Sequence, residues 1–322
     1  MNKKLILALV ISALATILIL KATTTELTWQ AIKNADPFYI LLAFLMQVLF
    51  WILWAFRLKT IARSLGYKVP FFYTLEVTMV GMLTAAITPS SAGGEPVRAK
   101  MLNDRGVSAG ESAFIVLVER FLDAVFFATA LPFFVLLTGY GIFGLRVAAV
   151  FLISLIIFIF ILYLIFKDDR NMIWIAKIFR KKKDKIIMEL INFRQAALKL
   201  KEKKKDLAFF LFITAFMWSF GFTIPSFILL SLGSDHFLLY SYTAQLIIVV
   251  ISLIPLTPGS SGLAEFSMAY LYSKFVSSEL LGILVATWRV VTYHSNILAG
   301  TIVLNLHLKK RLKVLVTNLD RR

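Results

Sequence analysis

The chain has 322 residues, of which 59% are hydrophobic and only 16% charged, with a mean hydropathy of +0.82. Soluble domains are close to half apolar and one quarter charged, so the composition excludes an ordinary soluble domain and indicates an integral membrane protein. The chain has no cysteine, which excludes disulfides and cysteine-ligated metals. Its net charge of +17 is concentrated between apolar stretches, where positive-inside bias explains it without nucleic acid as a partner.

Apolar stretches long enough to cross a hydrocarbon core of about 30 Å alternate with polar segments along the chain. The first follows Lys3 and Lys4 as in a signal peptide, but no small-residue cleavage pattern comes after it, so we predict an uncleaved span. The predicted organisation is a first span with its outer loop (1–36), a first repeat (37–138), a connecting span (139–166), a basic cytoplasmic segment (167–206), a second repeat (207–307) and a basic cytoplasmic tail (308–322).

Two polar, helix-breaking stretches interrupt the apolar sequence. The first, TPSSAGGE, begins at Thr88, and the second, TPGSSGLAE, begins at Thr257. Thr257 follows Thr88 by 169 positions, and Arg289 follows Arg120 by the same 169 positions. These matches involve polar residues, proline and arginine, which are rare in a largely apolar sequence. They therefore predict two related halves that each contain a broken helical hairpin.

The distribution of Lys and Arg predicts the orientation. Both termini and the segments 57–70 and 167–206 are basic, which predicts that they are cytoplasmic. This assignment is consistent only if 71–105 is a re-entrant hairpin entering from the inside and 238–276 is one entering from the outside. The predicted fold class is therefore an all-α polytopic integral protein of the cell membrane, with an inverted-topology repeat and two re-entrant broken helical hairpins.

The breaks are the first candidate site. The returning helices are predicted to begin near Ser91 and near Ser260 or Ser261, where their N-terminal N–H groups attract phosphate or carboxylate. Glu95 and Glu265 lie in those first turns. They either complement the helix dipole or receive a cation, a proton or a cationic headgroup.

Arg120 carries a charge inside an apolar span, where a charge is costly unless it is paired or hydrated. Glu119 precedes it and Asp123 follows three residues later. Arg120 therefore either forms a local ion pair with Asp123 or contacts a ligand, and its planar guanidinium suits phosphate.

Arg289 is the counterpart of Arg120, but neither neighbouring carboxylate recurs in the second half. Its partner must come from elsewhere, with Glu265, Glu95 or a substrate phosphate as candidates. The halves also differ at Glu76 and its counterpart Gln245, since only one of the two side chains is ionisable.

A polar cluster of Tyr293, His294 and Asn296 follows Arg289. His294 either titrates near neutral pH or is a hydrogen-bonded structural residue. The sequence contains no HExxH, CxxC, P-loop or nucleophile motif, so it indicates no metal, no cofactor, no catalytic residue and no enzyme activity. The predicted substrate-binding residues are Thr88, Pro89, Ser91, Gly93, Gly94, Glu95, Arg98, Glu119, Arg120, Asp123, Thr257, Pro258, Gly259, Ser260, Gly262, Glu265, Arg289, Tyr293, His294 and Asn296.

The basic segment 167–206 also contains apolar residues at intervals along its length. It is either an amphipathic helix on anionic inner-leaflet lipids or a positive-inside linker between the halves.

The two T-P breaks, the motif Glu119-Arg120-x-x-Asp123 and the motif Arg289-x-x-x-Tyr293 resemble the lysylphosphatidylglycerol synthetase/flippase transmembrane-domain family, over about residues 38–307. Family members with synthetase activity carry a soluble aminoacyltransferase domain after the membrane domain. The resemblance implies only the membrane half for this chain, a module similar to a lipid translocase. The chain departs from the family where a proline often follows the tyrosine of the final span.

The expected function is that of a flippase-like transporter, which moves a phospholipid or another lipid with a charged headgroup between leaflets through a midplane cavity. Arg120 and Arg289 would hold phosphate, and Glu95 and Glu265 would balance charge or hold a cationic group. One alternative is an ion-coupled secondary transporter of a small soluble anion, because the same groups bind phosphate or carboxylate. A second alternative is a non-transporting membrane scaffold for a lipid-modifying enzyme.

Overall fold

A computed structural model of the protein describes residues 3–88, 93–168, 171, 183–254 and 256–319. The predicted site residues Pro89 and Ser91 and part of the basic segment, including 172–182, lie outside the described residues. In chain order the helices are α1 (Lys3–Thr23), α2 (Glu26–Lys33), α3 (Pro37–Ser64), α4 (Phe71–Ala86), α5 (Gly94–Asn103), α6 (Ala109–Thr138), α7 (Gly141–Lys167), α8 (Lys183–Lys201), α9 (Lys204–Ser231), α10 (Leu238–Ser252), α11 (Leu263–Tyr272), α12 (Ser278–Arg289), a π-helical turn (Val290–His294) and α13 (Ser295–Leu319).

Several helices have the length and composition of membrane spans. Within the described chain, four single helices are long and apolar enough to cross a bilayer: α3, α6, α9 and the part of α7 from Gly141 to Ile161. A fifth candidate is the pair α1 and α2, which is bent by 111° at residues 24 and 25. The predicted all-helical, multi-pass membrane fold is therefore confirmed, whereas the inverted repeat and the re-entrant course of the hairpins stay predictions.

Each break joins a short apolar helix to a still shorter one. Helices α4 and α10 have 16 and 15 residues, and α5 and α11 have 10 each. In both cases the two helices pack against each other. The approach in the first pair is so close that a Cβ on Gly94 would lie 2.8 Å from the carbonyl oxygen of Gly81. Glycine is thus required where α5 crosses α4.

The returning helices begin at Gly94 and Leu263, two or three residues later than the serines at which the sequence predicts them. Local side-chain bonds explain the delay. The hydroxyl of Thr88 accepts a bond of 2.8 Å from the N–H of Gly93. The carboxylate of Glu265 accepts one of 2.7 Å from the N–H of Gly262, so the chain turns once more before each helix starts.

The final predicted span, 279–307, consists of two helices joined by a π-helical turn. The turn begins at Val290, directly after Arg289. Such turns insert an extra residue into a helix and often occur at functional sites. Here Tyr293 and His294, two of the predicted site residues, lie within the turn itself.

Two apolar cores lie at successive levels along α6 and α9. Leu122 of α6 and Phe210 of α9 belong to one core, and Phe127 and Phe222 of the same two helices belong to the other. The stretch between them on each helix lies at the junction of the cores. Asp123 of the principal charged cluster lies in this stretch of α6, and Glu119 lies one turn earlier, among residues of the first core.

The described part of the basic segment forms α8, which packs on the N-terminal part of α6. The rings of Phe114 and Phe193 meet edge to face at 5.2 Å, and the N–H of Gly110 donates to Glu189 at 2.6 Å. One face of α8 is therefore covered by protein.

Candidate functional site

Three helices bring buried charges together at the edge of the core that contains Leu122. Arg57 of α3 pairs with Glu119 of α6, at 3.3 Å from Nε to Oε1, and with Asp123, at 2.6 Å from Nη1 to Oδ1. Arg98 of α5 pairs with the second carboxylate oxygen of Glu119. All four residues are at most 3% exposed. Charges this deeply buried persist only as mutually paired groups, so the four act as one unit.

Sequence reasoning missed Arg57. In the sequence Arg57 begins the basic segment 57–70 after an apolar stretch, but α3 continues to Ser64 and buries Arg57 completely. The signal was available in the sequence. Leu58, Ile61 and Ala62 follow at helical spacing, and all three are buried, so the apolar face of α3 runs past the arginine.

The cluster is open to its surroundings at one edge. Arg120 lies 3.3 Å from Glu95, measured from Nε to Oε1, and 3.2 Å from Asp123, measured from Nη1 to Oδ2. The side chains of Arg120 and Glu95 are each 33% exposed. Arg120 thus has the local partner that the sequence indicates, and it also connects the buried unit to the first break.

Several N–H donors of this cluster have no hydrogen-bond partner among the described residues. They are Nε and Nη1 of Arg98, Nε of Arg120 and Nε1 of Trp54, and all of these atoms are buried. The two guanidinium groups lie 5.2 and 5.0 Å from the centre of the Trp54 ring. Unsatisfied donors therefore gather around one tryptophan.

The second break has its own ion pair. Nε of Arg289 lies 2.8 Å from Oε1 of Glu265, which is one of the three partners that the sequence suggests. Glu265 also accepts a 2.5 Å bond from the hydroxyl of Ser12 on α1, besides its bond from the N–H of Gly262. The guanidinium of Arg289 lies 4.1 Å from the ring of Tyr293. This pair is buried and well supplied with partners.

The two breaks touch each other. The N–H of Gly259 donates to the carbonyl of Thr88 at 3.1 Å. The hydroxyl of Tyr293 donates to the carbonyl of Ala86 at 3.2 Å and accepts from Ser261 at 3.3 Å. Gly259 has a φ of +57°, and a Cβ there would lie 2.7 Å from the carbonyl oxygen of Ala86. Residues more than 160 positions apart thus form one junction between the halves.

Other predicted residues contribute to the turns themselves. The hydroxyl of Thr257 donates to the carbonyl of Ser261 at 2.7 Å, and that of Ser260 donates to the carbonyl of Ser252 at 2.7 Å. Pro258 lies between them. These hydrogen bonds stabilise the turn of the second break. Neither involves the ion pair of Arg289 and Glu265.

The predicted polar cluster after Arg289 does not stay together, since His294 lies in the π-helical turn and Asn296 lies at the start of α13. Nδ1 of His294 is buried and has no hydrogen-bond partner among the described residues. The side chain of Asn296 accepts bonds from Trp51, at 2.7 Å, and Gln47, at 3.2 Å, both on α3. Asn296 therefore contacts α3 and does not join the Arg289 pair.

The asymmetric pair of Glu76 and Gln245 has different partners in the two halves. The carboxylate of Glu76 lies 3.0 Å from Nδ1 of His307 on α13. Gln245 donates to the hydroxyl of Tyr272 at 3.1 Å. Within the described ranges, no three His, Asp or Glu side chains are grouped as they would be around a metal ion.

A cavity of about 700 Å³ lies apart from both ion clusters. It is bordered by α6, α9, α10 and the connection before α10. Its lining includes the aromatic rings of Phe134 and Tyr242, the hydroxyl of Ser219, and Asp235 and His236. None of the predicted site residues lines it.

The chain matches known proteins along nearly its whole length. A family model described as "Lysylphosphatidylglycerol synthase TM region" matches residues 5–300. A UPF0104 membrane protein of Archaeoglobus fulgidus is 49% identical over 318 residues, which cover 94% of this chain and 97% of that protein. A UPF0104 membrane protein of Methanothermobacter thermautotrophicus is 28% identical, over 76% of this chain and 78% of that protein. One of Pyrococcus horikoshii is 25% identical, over 88% of this chain and 92% of that protein. The protein therefore belongs to the family of lysylphosphatidylglycerol synthase transmembrane regions.

Proposed function

We propose that the protein moves a lipid, or another amphiphile with a charged headgroup, from one leaflet to the other. The observation that carries the proposal is the junction of the two breaks with an ion cluster on each side, among helices apolar enough to cross a bilayer. Charged residues inside membrane spans are costly and generally mark a pathway for an ion or a polar substrate. The family description supports a lipid-related function.

The physical task of such a protein is to lower the cost of bringing a headgroup into hydrocarbon. Arginine binds phosphate with two parallel hydrogen bonds, and the exposed edge formed by Arg120 and Glu95 offers both a cation and an anion to a headgroup. The acyl chains would stay in lipid while the headgroup passes. Movement of one half against the other, about the contact between Thr88 and Gly259, would expose the site to each side in turn.

The proposed function includes an orientation in the membrane. Both termini would lie in the cytoplasm, and the basic segment 167–206 would contact anionic lipids of the inner leaflet. The protein would carry out transport without a chemical step.

The test is reconstitution into liposomes that contain fluorescent lipids with anionic, zwitterionic or cationic headgroups, with leaflet exchange followed by dithionite quenching. We expect exchange that depends on the headgroup and is strongly reduced by Arg120→Gln. The matched control is Arg146→Gln, which removes an exposed arginine on α7 and should leave exchange unchanged. Exchange that is absent for every headgroup, or equal in the two variants, would contradict the proposal.

A soluble anion is the second candidate cargo, because unsatisfied N–H donors also suit free phosphate or a carboxylate. The same liposomes separate the two functions. Uptake of radiolabelled phosphate without lipid exchange would identify a solute carrier. Absence of both activities, together with a cellular phenotype that tolerates Arg120→Gln, would favour a scaffold.

A further inference from the structure

The two ion clusters differ in their capacity to bind a ligand. No buried polar atom of Arg289 or Glu265 lacks a partner. Around Trp54, by contrast, four buried N–H donors lack a hydrogen-bond partner among the described residues. Arg98 contributes two of these donors although it is only 2% exposed. Among the described residues, the first cluster therefore has buried donors available for a ligand, whereas the pair of Arg289 and Glu265 has none.

The missing group must be an acceptor with several lone pairs. All four orphan atoms are donors, and three of them belong to guanidinium groups. Arginine and indole N–H groups only donate hydrogen bonds, so neither a metal cation nor an ammonium group, which has no lone pair, satisfies them. An oxyanion with several oxygens does, because bonds between guanidinium and a charged oxygen are among the strongest hydrogen bonds in proteins.

We propose that the first-half cluster binds a phosphate group through Arg98, Arg120 and Trp54, and that the second-half pair of Arg289 and Glu265 is structural. The inference rests on the proposed function in taking this phosphate to be part of the transported molecule. It assigns the phosphate to one half only, whereas the repeat in the sequence predicts a phosphate at both arginines.

Glu95 is the group that phosphate displaces. Its bond to Arg120 joins two side chains that are each a third exposed, and Nε of Arg120 remains without a hydrogen bond despite the 3.3 Å approach. Glu119, in contrast, is fully buried between Arg57 and Arg98 and holds Arg98 in place. Incoming phosphate therefore exchanges with the carboxylate of Glu95 and leaves the buried unit intact.

The experiment measures binding by calorimetry in detergent micelles, with no transport required. The full-length protein is titrated with a short-chain phosphatidylglycerol, with the diacylglycerol of the same chains, and with inorganic phosphate. We expect the phosphate-containing ligands to bind and the diacylglycerol not to bind. Trp54→Phe, which keeps an aromatic ring at this position and removes the indole N–H, should weaken binding about two- to tenfold, as expected for the loss of one hydrogen bond. Glu95→Gln should strengthen it, because the competing charge is gone.

Trp29→Phe is the matched control, since Trp29 is an exposed tryptophan of α2 outside both clusters. Binding of phosphatidylglycerol that inorganic phosphate competes away supports a headgroup phosphate. Binding of inorganic phosphate alone, with the same dependence on Trp54, supports the site with a free phosphate as its ligand. Equal affinity for diacylglycerol, or equal weakening by Trp29→Phe and Trp54→Phe, overturns the inference. Lipid exchange without phosphate binding would overturn this inference alone, and phosphate binding without any exchange or uptake would overturn the proposed function alone.

Discussion

The regions around the two breaks begin from the same sequence pattern and end in different structures. At the first break, Arg120 and Glu95 form a half-open edge on a cluster of three arginines and three carboxylates. At the second, a single pair of Arg289 and Glu265 is closed off by a hydroxyl, a backbone N–H and an aromatic ring. Residues that match between the two breaks therefore need not share a role, because their surroundings differ: Arg57 and Arg98 join the first cluster, whereas Ser12 of α1 completes the second.

The largest expected effect on stability is that of a substitution at Glu119, and it tests the difference between the two clusters. The change Glu119→Gln removes the charge that compensates both Arg57 and Arg98, which are buried beside it. Breaking a buried ion pair from one side costs about 3–5 kcal/mol, so we expect a large loss of stability in detergent. The measurement is thermal unfolding of the purified variant.

Two variants make that result interpretable. Glu265→Gln removes the charge opposite only one arginine and should destabilise less than Glu119→Gln. Glu202→Gln changes an exposed carboxylate and should have no effect on unfolding. If Glu265→Gln proved the more damaging of the first two, the first cluster would not be the more strongly coupled unit.

Sequence reasoning recovered the local pairings and the helical class, but not the way the halves meet. The spacing of Arg120 and Asp123 indicates their pair, since residues three apart on a helix are neighbours. The burial of Arg57 was hidden because a basic residue after an apolar stretch resembles the end of a span. The bond between Thr88 and Gly259 joins distant segments, and no local pattern encodes such a contact.

The second prediction concerns the contact between the two breaks at Gly259. The change Gly259→Ala forces an alanine into a φ of +57° and brings its Cβ to 2.7 Å from the carbonyl oxygen of Ala86. We expect a loss of about 2–4 kcal/mol, from the left-handed backbone and the steric overlap together. Gly139→Ala is the control, because Gly139 has a similar φ of +64° with nothing within 4 Å of its Cβ position.

The control should lose only the backbone contribution of about 1–2 kcal/mol. Both losses of stability are measured by thermal unfolding. The additional loss in Gly259→Ala therefore measures the steric contact between the two breaks. Equal losses in the two variants would mean that the breaks are free to move apart in solution.

The third prediction concerns the contribution of α1 to the second cluster. Ser12 is fully buried and donates a 2.5 Å bond to Glu265. A hydrogen bond to a charged group contributes about 1.5–3 kcal/mol, so Ser12→Ala should destabilise the protein by up to that amount. Ser154→Ala, which removes an exposed hydroxyl bonded only to its own helix, should not. An unchanged stability of Ser12→Ala would indicate that Arg289 and the N–H of Gly262 satisfy Glu265 without the serine.

The smallest expected effect comes from Tyr293→Phe, which removes one hydroxyl from the junction and keeps the ring beside Arg289. The lost bonds to Ala86 and from Ser261 are between neutral groups, so we expect a loss of about 1 kcal/mol in unfolding, and Tyr270→Phe, at an exposed ring, should be neutral. The informative measurement is lipid exchange in liposomes. Because the tyrosine bridges the two breaks, its loss should change the exchange rate more than the small stability loss alone would. An exchange rate equal to that of Tyr270→Phe would mean that the junction holds the halves together without governing their movement.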